Sequence, residues 1–237
     1  MGTIEVLEQE YRAQNPSFSV KIVAGLGTTG GIKAVTAGAL DFAAIGRSLK
    51  QQEREAGLVS LELGRTPFVV VTNKTGVEDI SSDQLASLIG NSSPTWPDGA
   101  PVRLVLRPVA DSDTELLGAF SPAVKAALAH AQSRGGMVRA ITDQESAAES
   151  ERLPGSLGTS SLALLRSENR KLTALSIDGI APSLANFASG AYPHGKTLSI
   201  VTQGAPGAET AGFLAFTASD KGRQILMRLG HLVPSPR

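Results

Sequence analysis

Residues 20–45 read VKIVAGLGTTGGIKAVTAGALDFAAI, and the order of residue types there says more about architecture than any other part of the chain. Val20-Lys21-Ile22-Val23-Ala24 is rich in β-branched residues and reads as a strand. Gly25-Leu26-Gly27-Thr28-Thr29-Gly30-Gly31 follows as a loop, then a short helix runs through Ala37 with Gly38 placed to end it. Asp41 to Ile45 is the next strand. Strand, glycine loop, helix and strand in this order feed parallel sheets, whose ligands bind beyond the strand C-termini.

Before this unit, Ile4, Leu7 and Tyr11 recur at helical spacing, and Asn15-Pro16 closes a helix over about residues 3–14, because proline disfavours helix in the residue before it. After it, Pro67 to Asn73 is the most strand-like segment, and Ser81-Ser82-Asp83 starts a helix that ends near Gly90. Residues 91–101 are a loop, Val102 to Arg107 alternate as a strand, Thr114 to Phe120 open a helix and another covers about 121–133. Gly155 to Ser160 is a turn or short strand, and Leu198 to Thr202 is a late strand before a helical C-terminal third.

The 237 residues are enough for one large domain or two small lobes. Lys and Arg number 22 and Asp and Glu 22, a formal charge of zero, so no long-range field draws the molecule to nucleic acid or anionic lipid. The apolar run Phe68 to Val71 falls far short of the ~18 residues of a membrane span. Cysteine is absent, which excludes disulfides and Cys-ligated metals. The opening residues lack a basic region followed by an apolar one, so they do not read as a signal peptide.

Two segments carry anion-binding chemistry. The loop at Thr28, Thr29 and Gly30 offers two hydroxyls and several backbone N–H groups at a helix N-terminus, where unpaired donors and the helix dipole favour negative charge. The same residues satisfy the dinucleotide fingerprint Gly25-x-Gly27-x-x-Gly30, and Arg47 stands where it could meet a 2′-phosphate. An NADP-dependent Rossmann oxidoreductase is therefore an alternative reading, and a plain βα turn is another. In the second segment, Arg107 ends a strand, and Ser112, Asp113 and Thr114 follow at a helix start. A simple helix cap with a solvated arginine explains that segment equally well.

Enzyme signatures are poor: His130, His194 and His231 are far apart and read as solvated, and neither H-E-x-x-H nor G-x-S-x-G occurs. Trp96 and Tyr192 stand beside prolines and read as loop packing, and aromatics at 4% argue against a single-stranded nucleic-acid groove.

Taken together, Gly25 to Phe42, Thr66 to Asn73, Arg107 to Thr114, Ile180-Ala-Pro182, Tyr192-Pro193 and Phe213 to Pro234 resemble, in order, the phosphate-type periplasmic solute-binding proteins of ABC transporters. The resemblance implies an α/β fold of two lobes with two hinge crossings, closing on an oxyanion held in a cleft. Its lobes would be residues 1–74 with 179–237, and residues 75–178. Thr28 matches the family's hydroxyl in the first glycine loop, and Arg107, Ser112 and Thr114 match its second-lobe arginine, serine and threonine. The family's first strand and its ligand-binding turn would precede Met1, and with them an export signal. Its phosphate-specific carboxylate would fall at Gly46, which has no side chain, while Asp113 replaces a glycine in a loop one residue longer.

The expectation is a non-enzymatic monomer without a cofactor, periplasmic or extracellular, that passes phosphate to a membrane permease. A ligand-sensing domain of the same fold is the alternative. Arg107 would be the main charged contact, with Arg47 secondary, and Asp113 would accept a ligand proton if Asp111 or Ser112 caps the helix.

Overall fold

The computed structural model describes residues 2–235. The chain divides into two compact units, Met1–Thr66 with Lys196–Arg237, and Pro67–Gly195. The lobe boundaries read from the sequence, at 74/75 and 178/179, both fall inside the second unit. The chain passes between units within long strands, and a strand's composition gives no sign of where along it one core ends and another begins.

The first unit opens with α1 (Gly2–Arg12), whose Ile4 and Leu7 are buried as their spacing requires. Tyr11 meets Phe18 edge-on with ring centroids 4.9 Å apart and lies 5.7 Å from Phe213. Helix α2 (Gly27–Thr36) is followed by Gly38 at φ 68°, then by β1 (Ala43–Ile45), α3 (Gln51–Glu55) and the long β2 (Leu58–Thr72). Residues 20–24 form no strand. Strand propensity needs a neighbour to complete the ladder, and among the described residues this segment has none, so Val23 stays 46% exposed.

The second unit holds β2 from Pro67 onward, β3 (Asp79–Ile80), α4 (Ser82–Gly90), β4 (Arg103–Leu106), α5 (Ser112–Gly118) and α6 (Pro122–Ser133). It continues through β5 (Val138–Arg139), α7 (Asp143–Arg152), β6 (Ser156–Ser161), α8 (Leu162–Ser167), β7 (Thr173–Ala174), β8 (Ser176–Ile177) and α9 (Leu184–Ser189). The start of α4 follows from local chemistry: Ser81 Oγ accepts from Gln84 N at 3.0 Å, and Gln84 Oε1 accepts from Ser81 N at 2.8 Å. Strand β4 pairs in parallel with β5 and β6, while β6 pairs antiparallel with β2. Parallel pairing thus holds around β4, and Leu104, Leu106, Leu157 and Val70 pack into one core with Trp96. The Trp96 indole donates to Gly155 O at 3.0 Å, so it is core packing with its one polar atom satisfied.

Strand β9 (Gly195–Gln203) returns the chain to the first unit and pairs antiparallel with β1, Ala43 opposite Val201. Helices α10 (Ala208–Ala218) and α11 (Asp220–Arg228) close that unit, with Phe213, Ile225 and Leu226 packed on Ile4, Leu7 and Ile200. Two histidines are not solvated as expected. His231 is 2% exposed, with Nε2 3.2 Å from Thr3 Oγ1, and His194 stacks on Phe120 at 3.6 Å. Among the described residues no helix is long and apolar enough to cross a membrane, and no cluster of His, Cys, Asp or Glu is arranged to hold a metal ion.

Candidate functional site

Each unit presents one group of polar residues from the segments singled out in the sequence. In the second unit, β4 runs between β5 and β6, and Arg107 is the first residue beyond its C-terminal end. Leu104, Val105 and Leu106 are buried and carry Arg107 to a position only 4% exposed. Its Nη1 donates to Ala140 O at 3.0 Å. Nε and Nη2 donate to Asp111 Oδ1 and Oδ2 at 3.3 and 2.9 Å, and Nη2 also donates to Asp143 Oδ1 at 3.3 Å. Those bonds use four of the five N–H donors of the guanidinium and tie the loop before α5 to the start of α7.

Asp111 also caps α5, accepting from Asp113 N at 2.9 Å, which agrees with one of the two caps expected. Asp113 is fully buried, with Oδ2 3.8 Å from Arg107 Nε. Thr114 donates its hydroxyl proton to Pro108 O at 2.8 Å, so that oxygen braces the loop. The half-buried Ser112 hydroxyl has no hydrogen-bond partner among the described residues. One guanidinium among three carboxylates carries a formal charge of 1 − 3 = −2. An anion arriving here depends on directed donors, since the net field does not attract it.

In the first unit, Gly25 and Gly27 sit at φ 84° and 60°, a region side-chain-bearing residues avoid, so these glycines are set by the backbone of the turn. Helix α2 has no side-chain cap at Leu26, which leaves its first N–H groups without a local acceptor. Thr28 Oγ1 accepts from Gly46 N at 3.2 Å, Thr29 is exposed and Gly30 is half-buried. Arg47 donates from Nη1 and Nη2 to Glu53 at 2.9 and 2.7 Å and from Nη1 to Ser48 O at 2.8 Å. That bidentate bond holds the Glu53 carboxyl down at about 2. The dinucleotide alternative loses its structural context, because residues 20–24 form no strand ahead of Gly25 and Arg47 is engaged by Glu53.

Lys196 was not read from the sequence as part of this group. It is 9% exposed, and a Cβ added at Gly46 would stand 2.6 Å from its Cε and 3.6 Å from its Nζ. At the position where the resemblance implies a carboxylate, this chain has a glycine with a lysine side chain lying over it. The available signal was period two: Lys196 shares a strand face with Leu198 and Ile200, an unusual place for a lysine.

A family model described as a PBP superfamily domain matches residues 1–221. The phosphate-binding protein PstS of Bacillus subtilis (strain 168) is 30% identical over 198 residues, which are 78% of this chain and 61% of that protein. The chain therefore spans about three-fifths of the length of that relative. Among solved structures, a Clostridium perfringens protein described as a phosphate ABC transporter substrate-binding protein, with phosphate bound, superposes with a TM-score of 0.79 at 17% identity. That match covers 98% of this chain and 95% of the other. The periplasmic molybdate-binding protein of Azotobacter vinelandii gives 0.66 at 14% identity, covering 99% and 95%.

Proposed function

The chain belongs to the PBP superfamily, and from that premise we propose that it is a solute-binding protein that captures an inorganic oxyanion, phosphate first, and delivers it to an ABC-transporter permease. The observation that carries the reading is Arg107, buried at the C-terminal end of a parallel strand and fixed by four hydrogen bonds. A charged donor with that degree of fixation recognises an oxyanion at little cost in side-chain entropy. Ser112 supplies a neighbouring hydroxyl. The first unit, taken by itself, carries its own donors in Thr28, the N–H groups of Thr29 and Gly30, and Lys196. Similarity to a phosphate-binding protein and to a phosphate ABC transporter substrate-binding protein supports phosphate as the ligand and transport as the role, and the site of action is then outside the cytoplasm.

Calorimetry of the 237-residue chain against phosphate, sulfate, molybdate and NADP tests this. Phosphate should bind one per chain, and at 100 times its Kd it should add about 2.7 kcal/mol to stability, while NADP should add nothing. Arg107→Ala should cost about 30-fold or more in phosphate affinity, from the ~2–5 kcal/mol lost when a buried charged donor is truncated. Arg107→Lys keeps a cation among the three carboxylates and guards against misfolding, and a loss below about tenfold in both variants would overturn the assignment. No binding of any oxyanion would overturn the reading itself.

A further inference from the structure

Strand β6 is buried at every position from Ser156 to Ser161. Its parallel register with β4 sets Arg103 opposite Ser156 and Leu104 opposite Leu157. A Cβ on Gly158 would lie 3.4 Å from Val105 Cβ, so the register continues past the ladder, and extended by two residues it sets Ser160 level with Arg107, the residue after β4. Positions 158 and 160 share one face of the strand. That face is covered by α7, because Ser150 Oγ of α7 lies against Gly158 and Arg107 Nη2 bonds Asp143 at the start of the same helix.

Ser160 is 2% exposed, and its Oγ has no hydrogen-bond partner. Buried hydroxyls without partners are uncommon because they give up water for nothing. Three carboxylates surround the guanidinium, and Ser160 Oγ bonds none of them, so the hydroxyl stays open to an acceptor that arrives with a ligand. We propose that Ser160 is a ligand-binding residue that donates its hydroxyl hydrogen to the oxyanion received by Arg107. The inference rests on the oxyanion reading above and adds a contact from a strand outside the Arg107–Thr114 loop. Two other buried hydroxyls lack partners, Ser150 Oγ and Thr159 Oγ1. Thr159 points to the opposite face of β6 and Ser150 lies under Gly158, so both serve as internal controls.

Titration of inorganic phosphate into wild type, Ser160→Ala, Ser150→Ala and Thr159→Ala decides the matter, with thermal unfolding run alongside. Ser160→Ala should lose about 10- to 100-fold in affinity, the range of a hydrogen bond to a charged group, with no fall in melting temperature. The two control variants should stay within about twofold of wild type. An unchanged affinity in Ser160→Ala, or an equal loss in Ser150→Ala, would overturn the proposal and assign the three hydroxyls to internal packing around water. Weakening by Arg107→Lys without weakening by Ser160→Ala would remove this inference alone, whereas a wild type that takes no oxyanion removes both.

Discussion

Acid should loosen the first unit through His231. The ring lies 2% exposed, with Nε2 on Thr3 Oγ1 and Nδ1 without a partner, and burial pushes its pKa down to about 4 from an ordinary 6.5. Above about pH 6.5 folded and unfolded chains both hold a neutral imidazole, and the residue exerts no pH-dependent cost. As pH falls below 6.5 the unfolded chain takes up a proton that the folded chain refuses, so stability declines until the folded ring also titrates near 4. At about pH 4.5 the difference amounts to about 2.5 kcal/mol, from 1.36 kcal/mol per pKa unit with the folded form beginning to titrate. Urea unfolding of wild type and His231→Leu at about pH 7.5 and 4.5 isolates it. Losses from carboxylates are common to both proteins, so the variant should lose about 2.5 kcal/mol less than wild type across that interval. Equal losses would refute the argument and mean that the buried ring gains a proton or a water at little cost.

Arg47→Ala should leave phosphate affinity within about threefold, because its guanidinium is committed to Glu53, and titration of that variant beside Arg107→Ala would expose a larger role. Lys196→Met should weaken phosphate and sulfate alike by about tenfold or more, as expected for loss of a charged donor. Gly46→Asp should act in the same direction by engaging the lysine, and stronger sulfate binding in either variant would contradict a donor role for Lys196.

What the sequence makes legible here is whatever depends on neighbours along the chain. The Ser81–Gln84 capping pair, the stripe of Ile4 and Leu7, and Gly38 after α2 each act within a turn or two, and each is where the pattern puts it. Pairing across the sheet is a different matter. Val20 to Ala24 have the residues of a strand and no partner, while Ser156 to Ser161, which read as readily as a turn, become a buried strand because β2 and β4 lie on either side. The same division holds at the candidate site. Arg107 and Ser112 stand out because they sit in one short loop with a helix start. Ser160 is found only through its register with β4, and Lys196 only through its approach to Gly46, 150 positions away along the chain. His231 meets Thr3 across 228 positions, so nothing local reveals its burial.

The charge pattern around Arg107 bears on which oxyanion the second unit prefers. Three carboxylates face one guanidinium, so acceptors outnumber cations there, and Asp113 is the most buried of the three. A fully ionised anion brings only further acceptors to such a group and can be held only by donors directed at it. An anion that keeps a proton brings a donor of its own, which a buried carboxylate can accept, turning a repulsive approach into a hydrogen bond. Near neutral pH phosphate retains a proton and sulfate does not. Asp113→Asn is therefore expected to narrow any preference for phosphate over sulfate, measured by competition titration at fixed ionic strength, and an unchanged preference would refute this role for Asp113. The isosteric amide keeps the size of the side chain and removes only the acceptor charge, so the change in preference reads the carboxylate itself.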